Sequence, residues 1–223
     1  MTSRAVVLLS GGLDSATAGA MARAEGREIH ALSFSYGQRH TLELRMAAIN
    51  ARRLEAAEHL ILELDPEPFR GSSLTGTGRV PRGGSTHGIP STYVPARNTV
   101  FLAIALGIAE TRGAGEIFIG VNSVDYSGYP DCRPAYINAF QELASMATKA
   151  AVEGAPTVIR APLLLMSKAE IVRRGLELGV DYGSTISCYD PDDRGRSCGS
   201  CDACLLRLEA FRANGIQDPA PYV

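Results

Sequence analysis

The sequence predicts an α/β fold in which helices cover both faces of a twisted parallel sheet, followed by a small C-terminal zinc-binding appendage. Short apolar runs alternate with longer amphipathic segments along most of the chain, and repeated strand and helix units of this kind build parallel sheets. The first apolar run, residues 5–9, contains no polar side chain, as is typical of a strand buried on both faces. With 223 residues, 45% of them hydrophobic, the chain can bury a large core as one domain plus a small appendage.

The strands and helices can be assigned in order along the chain. The predicted strands are residues 5–9, 29–34, 59–64, 116–121 and 157–160. The predicted helices are one that follows the loop after the first strand, and then 41–54, 97–112, 134 to about 150, and 167–178. Pro134 suits a first helical turn, and Ser167 and Glu170 have the spacing of a capping box. Gly179 is suited to end the last of these helices.

A glycine-rich turn, Ser-Gly-Gly-Leu-Asp-Ser at residues 10–15, directly follows the first strand. A turn from strand to helix presents free backbone N–H groups and the positive end of a helix dipole at one place, where a phosphate can bind. Gly11 and Gly12 let the backbone approach that anion closely, and Asp14 or Ser15 can cap the first turn of the helix. We therefore expect a phosphate site at this turn.

The letters of this turn exclude two other phosphate loops. No lysine follows the glycines as a Walker loop requires, and the dinucleotide fingerprint Gly-x-Gly-x-x-Gly is absent. The turn resembles the pyrophosphate loop of ATP pyrophosphatases, which implies cleavage of ATP between its α and β phosphates. An ordinary turn between strand and helix is the alternative. The predicted nucleotide-binding residues are Leu9, Ser10, Gly11, Gly12, Leu13, Asp14, Ser15, Ala16 and Thr17.

The overall charge gives no support to a nucleic-acid partner. The formal net charge is −2 and the pI about 6.1, so no strong positive field exists to attract a phosphate backbone, although a local basic patch would escape this average. No apolar run is long enough to span a membrane, and no signal peptide is recognisable. A cytoplasmic protein without a membrane or nucleic-acid partner is expected.

Residues 65–95 interrupt the alternation of strands and helices. The segment is rich in proline, glycine, serine and threonine, with six glycines from Gly71 to Gly88. Loops of this length are uncommon in compact domains, so we expect either a mobile lid or a partly disordered segment.

Four of the five cysteines are crowded near the C-terminus. Two Cys-x2-Cys steps bring Cys198, Cys201 and Cys204 into one turn, and Cys188 can loop back to complete a tetrahedral set. Zinc is the predicted ion, one per chain, and it is structural because four sulfur ligands leave no open position for water. An iron–sulfur cluster and a redox dithiol pair are the alternatives.

The cysteine cluster suggests a division of the chain. We expect a nucleotide-binding domain at residues 1–180, with its loop at about 65–95, and a zinc-binding segment at residues 181–223. Cys132 lies apart from the other four, and it is either a small buried side chain or a catalytic thiol.

Four further segments resemble, in order, blocks of the 7-cyano-7-deazaguanine synthase family. They are Tyr36-Gly37-Gln38-Arg39-His40, Val94-Pro95-Ala96-Arg97-Asn98, residues 125–133 and residues 162–170. The resemblance covers almost the whole chain apart from residues 65–92. Leu13 and Ala96 differ from what some members have, and neither difference removes a functional group. The resemblance implies a Rossmann-like fold of the adenine nucleotide alpha hydrolase type and a homodimer.

The resemblance implies a carbon–nitrogen ligase that converts 7-carboxy-7-deazaguanine, ammonia and ATP into 7-cyano-7-deazaguanine, the precursor of queuosine and archaeosine. A carboxylate resists attack by ammonia because oxide is a poor leaving group, so its oxygen must first become a phosphate ester. Asp14 would act through a magnesium ion between the phosphates. Lys168 would neutralise the charge that builds on departing pyrophosphate, and an exposed first-turn lysine is the alternative.

The same resemblance implies where the deazapurine binds. Arg97, a further candidate catalytic residue, and Asn98 lie where a loop meets a helix, a suitable place for a guanidinium to bind a carboxylate or phosphate. Tyrosine rings in residues 125–133 can stack on the base while Asp125 or Asp131 accepts its N–H groups, although a turn built for backbone reasons is the alternative. The predicted substrate-binding residues are Arg39, His40, Arg97, Asn98, Asp125, Tyr126, Tyr129 and Asp131.

Two other classes of protein remain as alternatives. The first comprises other enzymes with this ATP loop, tRNA thiolases and glutamine-dependent synthetases; four cysteines here fit a metal site, and no residues remain for a glutaminase domain. The second is a non-catalytic zinc module that binds ATP as a sensor or binds a partner protein. Formation of AMP only in the presence of the deazapurine acid distinguishes all three.

Overall fold

One parallel sheet organises the protein, as the alternation of the sequence predicts. The structure is a computed structural model that describes residues 3–76, 78–82, 88–123 and 128–223. Within these residues the strands are β1 (Arg4–Leu8), β2 (Glu28–Ser35), β3 (Glu58–Glu63), β4 (Glu116–Phe118) and β5 (Val158–Arg160). Their order across the sheet is β3-β2-β1-β4-β5, and every neighbouring pair is parallel. The order reverses between β1 and β4, where such sheets bind ligands at the carboxyl ends of their strands.

Helices follow the strands in sequence, and most were expected from the sequence pattern. In the described residues they are α1 (Leu13–Ala24), α2 (Leu42–Arg53), α3 (Arg97–Arg112), α4 (Pro134–Ala144), α5 (Lys149–Val152), α6 (Lys168–Glu177) and α7 (Asp202–Ala213). Single 3-10 turns occur at Glu67–Phe69, Pro130–Cys132 and Tyr182–Ser184.

The structure corrects two of the helix predictions. The helix expected from 134 to about 150 ends at Ala144, and Thr148 caps the separate α5 by accepting a hydrogen bond from the Ala151 N–H at 3.1 Å. Helix α7 is not among the predicted helices, because it begins inside the cysteine segment. It follows directly on Cys201 and contains Cys204.

Both faces of the sheet are covered, which explains the apolar run at residues 5–9. Val6 and Leu8 of β1 face the cluster that α3 and α4 complete, whereas Val7 and the adjoining Leu9 face α1 and α2. All four of these side chains are buried. Burial on both faces is what a strand without polar residues requires.

The ends of two helices test the predicted caps. Ser167 and Glu170 form the expected capping box of α6, and Gly179 follows that helix with a φ of +74°. The expected cap of α1 by Asp14 or Ser15 is wrong, because the N-cap is Gly12 and no side chain caps the helix. Ser15 instead bonds back into the glycine turn.

A buried ion pair joins the C-terminal tail to the body. The Arg207 guanidinium on α7 donates to the Asp218 carboxylate at 2.8 and 2.9 Å, and also to the Tyr182 carbonyl and the Thr185 hydroxyl, both at 2.8 Å. The Arg207 and Asp218 side chains are each 2% exposed. Removal of one partner from such a pair typically costs about 3–5 kcal/mol, so the pair fixes the tail against the 3-10 turn at Tyr182–Ser184.

Part of the long loop at residues 65–95 packs on the body. Phe69 is 2% exposed and lies against Tyr36 and Phe101, with ring centroids 5.3 and 6.1 Å away. The Ser73 N–H donates to the Ser91 carbonyl at 2.8 Å, which joins the two sides of the loop. Residues 77 and 83–87 of this segment lie outside the described residues. Across the described part of the chain, no helix has the length and apolar character needed to cross a membrane.

Candidate active site

A cavity of about 250 Å³ opens at the carboxyl ends of β1, β2 and β4, where the order of strands reverses. This is where a parallel sheet is expected to bind its ligand. The predicted site residues that line it are Leu9, Ser10, Gly12, Leu13, Asp14, Ser15, Arg97, Asn98, Tyr129, Asp131 and Lys168. The predicted nucleotide- and substrate-binding residues that do not line it, within the described chain, are Gly11, Ala16, Thr17, Arg39 and His40. Asp125 and Tyr126 lie outside the described residues.

The glycine turn is held in shape by close backbone contacts. Gly11 has a φ of +82°, and a Cβ at this position would lie 2.2 Å from the Glu43 carbonyl oxygen of α2. A Cβ on Gly120, after β4, would lie 2.8 Å from the Ser15 nitrogen. The Ser15 hydroxyl donates to the Gly12 carbonyl at 3.0 Å and accepts from the Ser10 N–H at 3.2 Å. Glycine is therefore required at both positions for α2 and β4 to pack on the turn.

The N-terminus of α1 opens into the cavity. The first helical bond after the turn runs from the Ala16 N–H to the Gly12 carbonyl at 3.1 Å, so the N–H groups of Leu13, Asp14 and Ser15 have no carbonyl partner within the helix. These three residues line the cavity. The arrangement suits an anion such as phosphate.

Asp14 and Lys168 form an ion pair inside the cavity. The Lys168 Nζ donates to both carboxylate oxygens of Asp14, at 2.8 and 2.7 Å. The Lys168 side chain is 8% exposed and the Asp14 side chain 24%. The alternative of an exposed first-turn lysine is therefore wrong. The capping box that starts α6 places Lys168 in the first turn, within reach of the loop after β1.

The N-terminus of α3 brings a second group of predicted residues to the cavity. Asp131 accepts the Asn98 backbone N–H at 3.1 Å, and the Asn98 side-chain amide donates to the Asp131 carbonyl at 3.1 Å. The Arg97 guanidinium donates to the Tyr36 hydroxyl at 3.3 Å. Ala96 adopts a left-handed conformation with a φ of +50°, which typically costs about 1–2 kcal/mol for a residue other than glycine. This strained residue sets the position at which α3 begins.

Tyrosine rings supply the apolar wall of the cavity. Tyr129, which was predicted, bonds through its hydroxyl to Thr92 at 2.6 Å. Tyr93, whose ring lies 6.3 Å from that of Tyr129, and Tyr189 also line the cavity although the sequence patterns did not single them out. Flat rings of this kind can stack on a heterocyclic base.

Arg39 and His40 do not line the cavity. The Arg39 guanidinium donates to the Gly78 carbonyl of the long loop at 3.1 Å. The His40 Nε2 is buried and has no hydrogen-bond partner among the described residues. Burial and the nearby Arg39 charge lower the pKa of His40, so the ring is neutral at pH 7. Their predicted role in substrate binding remains a prediction.

The sequence patterns did not predict several residues that line the cavity, although these residues lie close to predicted site residues in the chain. In the segment that follows β2, the first and third residues, Tyr36 and Gln38, face the cavity while the last two do not. Glu43 in the first turn of α2 also lines it. Their position could have identified them, because polar residues directly after a parallel strand lie at the carboxyl edge of the sheet, where ligands bind.

Cys132 lines the cavity but is not a ready nucleophile. Burial and the adjacent Asp131 carboxylate raise the pKa of the Cys132 thiol to about 12. Only the thiolate is an effective nucleophile, and at neutral pH this thiol stays protonated. The structure therefore favours the small buried side chain over the catalytic thiol.

The four C-terminal cysteines converge on one point. The Sγ atoms of Cys188, Cys198, Cys201 and Cys204 all lie within 4.8 Å of one another. Backbone N–H groups donate to the sulfur atoms, including that of Cys198 to the Cys188 sulfur at 3.2 Å. Such bonds stabilise thiolates, so the set can bind zinc as a closed four-sulfur site. Because Cys188 precedes the cavity residue Tyr189, the cluster also supports the cavity wall.

The strand order, the glycine turn after β1 and the phosphate-suited helix N-terminus place the chain in the PP-loop class of nucleotide-binding folds. A solved structure titled as a 4-thiouridine synthetase–RNA complex with bound ATP has a similar fold, with a TM-score of 0.50. Identity to it is 19%, and the similarity covers 95% of this chain and 54% of that one. At this identity the likeness concerns the fold alone.

A family model identifies the chain more closely. The model described as queuosine biosynthesis protein QueC matches residues 4–215, and the chain belongs to this family. A curated protein of Geobacter sulfurreducens named 7-cyano-7-deazaguanine synthase is 59% identical, covering 100% of this chain and 94% of the relative. One of Magnetococcus marinus with the same name is also 59% identical, covering 98% of this chain and 96% of the relative. The resemblance found in the sequence blocks is confirmed, and the chain is an enzyme.

Proposed function

We propose that this enzyme converts 7-carboxy-7-deazaguanine and ammonia into 7-cyano-7-deazaguanine while ATP is cleaved to AMP and pyrophosphate. The observation that carries the proposal is the 59% identity, over almost the whole length, to curated proteins named for the synthesis of that nitrile. The cavity supports it, because a helix N-terminus suited to phosphate and a guanidinium face the same space.

Adenylation of the acid requires the phosphates of ATP to lie at the glycine turn. The proposed nucleotide contacts are residues 9–17, of which the N–H groups at the start of α1 bind phosphate. Asp14 would hold a magnesium ion, which would neutralise phosphate charge, and Lys168 would stabilise the charge on the leaving pyrophosphate. The pairing of these two side chains supports the assignment, because a magnesium ion and pyrophosphate would occupy adjoining positions.

The deazapurine acid occupies the side of the cavity formed by α3 and the tyrosines. Arg97 binds the carboxylate that is to be adenylated, and Asn98 lies beside it. Tyr129 stacks on the base. Asp131 gives one oxygen to the start of α3, and its remaining oxygen accepts the amino or ring N–H of the base. Asp125, Tyr126, Arg39 and His40 remain proposed substrate contacts on the strength of the family resemblance.

The remaining assignments are also proposals. The chain divides near residue 180 into a nucleotide-binding domain, 1–180, and a segment, 181–223, whose four cysteines hold a structural zinc. That segment packs on α2 through Leu42 and Met46. We further propose ammonia as the nitrogen source and a homodimer, as the family resemblance implies. The net charge and hydropathy of the sequence support the proposal of a cytoplasmic location and of no nucleic-acid or membrane partner.

The direct test is analysis of the products. Incubation with 7-carboxy-7-deazaguanine, ATP, magnesium and ammonium should yield the 7-nitrile by mass spectrometry, with two AMP released per nitrile. AMP and pyrophosphate should not form when the acid is omitted. AMP formation independent of the acid would contradict the proposal, and binding of ATP without turnover would favour a sensor.

The number of oxygens that must leave leads to a further prediction. A carboxylate loses two oxygens on becoming a nitrile, and the described chain contains one phosphate turn of this type, so the same site should act twice. Adenylation and attack by ammonia first give the primary amide, and adenylation of the amide oxygen then allows AMP to depart as the nitrile forms. Synthetic 7-amide, supplied with ATP and magnesium but without ammonia, should give the nitrile with one AMP per nitrile. Release of ADP, or an amide that binds but never reacts, would show that the second oxygen leaves by another route.

A further inference from the structure

Glu43 is a carboxylate in the cavity wall that has no assigned role. It lies in the first turn of α2, and its carbonyl oxygen packs against Gly11 of the phosphate turn. Its side chain lines the cavity and makes no hydrogen bond or ion pair with any residue of the described chain. An unbonded carboxyl in a partly buried position is unusual, because buried charges are normally paired.

The groups that face Glu43 leave it poised between its two protonation states. Burial raises the pKa of Glu43 to about 7, while the charge of Arg97 on α3 acts in the opposite direction. The hydroxyl of Tyr36, the residue that follows β2, accepts from Arg97 and is a second titratable group that interacts with Glu43. A carboxyl with this pKa can both accept and release protons at neutral pH.

The other acidic side chains of the cavity have hydrogen-bond partners within the protein or stay protonated. Asp14 is bonded at both oxygens by Lys168, and Asp131 accepts the N–H at the start of α3. The Cys132 thiol stays protonated because its pKa is about 12. Among the described carboxyl groups that line the cavity, Glu43 is therefore the one with neither oxygen in a hydrogen bond within the protein.

The proposed reaction, on which this inference rests, requires a proton acceptor near the nitrogen. Attack of ammonia on the acyl adenylate gives a nitrogen with three protons, one of which must leave as AMP is expelled and the amide forms. In the second round the adenylated amide carries two N–H protons in its cationic form, and both leave as the C–O bond breaks and the C≡N bond forms. Neither half of the reaction involves oxidation or reduction.

We propose that Glu43 is the proton acceptor for the substrate nitrogen in both rounds. Its carboxylate takes one N–H proton from the ammonia adduct as the C–O bond to AMP breaks, and passes that proton to solvent. In the second round the cationic adenylated amide loses one N–H proton to solvent, and Glu43 takes the other as the C–O bond to AMP breaks and the nitrile forms. Adenylation itself moves no proton from nitrogen, so it does not depend on Glu43 in the first round.

The inference is tested by separating adenylation from the nitrogen steps. Glu43→Gln keeps the size and hydrogen-bonding oxygen of the side chain but accepts no proton. Exchange of labelled pyrophosphate into ATP, measured with the acid and without ammonium, should stay within about twofold of the parent enzyme. Formation of nitrile, from the acid with ammonium or from the synthetic amide, should fall by about 10²–10⁴-fold, the range usual for loss of a general base. Glu142→Gln, on the exposed side of α4, is the matched control and should behave like the parent enzyme in each assay.

The pH dependence gives an independent readout. Nitrile formation from the amide by the parent enzyme should fall as the pH drops through about 7, where Glu43 becomes protonated, and Glu43→Gln should lack this decline. Equal loss of exchange and of nitrile formation in Glu43→Gln would overturn the inference by assigning the residue to adenylation. Unchanged nitrile formation would overturn it as well. A parent enzyme with no acid-dependent exchange would instead refute the proposed function, and this inference with it.

Discussion

Replacement of Cys201 by serine is expected to lower the free energy of unfolding by about 4 kcal/mol or more, the range reached when a structural metal is lost. The sulfur atoms of the four cysteines lie within 4.8 Å of one another and form a closed set. The hydroxyl of serine is a far weaker ligand for zinc than a thiolate. For a chain of this length the melting temperature should fall by roughly 8–16 °C.

Metal analysis and thermal unfolding together check this prediction. The purified parent enzyme should contain about one zinc per chain, and Cys201→Ser markedly less. Cys132→Ser is the matched control, because Cys132 is also buried but lies outside the cluster, and this variant should retain its zinc. At a temperature where both proteins are folded, the rate of the chemical step should be measured for each. The free-energy change calculated from these rates should be smaller than the change in the free energy of unfolding. Iron and sulfide in the purified protein, or full stability after removal of zinc, would contradict the prediction.

The sheet and its helices were predictable because their signals are local and redundant. The wholly apolar first strand, the glycine turn and the capping box at Ser167 each specify a structure within a few residues, and all three patterns agree on one parallel architecture. The structure confirms that architecture. The prediction of one helix to about residue 150 was wrong, because the Thr148 side chain caps a new helix, α5, instead of continuing the first one.

Helix α7 and the buried Arg207 were not predictable in the same way. Residues 202–213 contain enough leucine and alanine for a helix. The spacing of the neighbouring cysteines, however, predicted a metal-binding turn at the place where this helix begins. The partner of Arg207 is Asp218, eleven residues further on in an irregular tail, and no periodicity links the two. Such a pair is evident only after the tail has folded back on α7.

The cavity was predicted in its position but only partly in its members. The carboxyl edge of the sheet fixes where a ligand binds, which is why the residues after β1 and at the start of α3 were found. Which side of a short connecting segment faces the ligand depends on backbone angles that the sequence does not show. For example, Arg39 faces the long loop, whereas its near neighbours Tyr36 and Glu43 face the cavity.

Replacement of Asp14 by asparagine is expected to reduce AMP formation by about 10³-fold, the loss typical when a group that stabilises transition-state charge is removed. The variant should still fold, since the turn is held by Gly11 and by the bonds between Ser10 and Ser15. It leaves the Lys168 ammonium, 8% exposed, without a countercharge. We therefore expect a loss of about 1–2 kcal/mol in stability, less than for a fully buried pair because Asp14 is partly exposed.

A second change distinguishes this loss of stability from the loss of chemistry. Asp14→Asn combined with Lys168→Met removes both charges, so it should recover part of the lost stability while AMP formation stays at the level of the single variant or below. If the double variant regained activity, the effect of Asp14→Asn would lie in the unpaired lysine rather than in the metal.

Asp131→Asn provides the contrast within the same cavity, because its carboxylate faces the start of α3 instead of the phosphate turn. This variant should raise the KM for the deazapurine acid by about tenfold or more, because a charged hydrogen bond to the base is weakened. The KM for ATP should stay near that of the parent. Steady-state assays with each substrate varied in turn measure both constants. Two results would contradict this division of nucleotide and base between the carboxylates: a raised KM for ATP alone in Asp131→Asn, or parent-like activity in Asp14→Asn. The placement of the two ligands in the cavity would then have to be reversed.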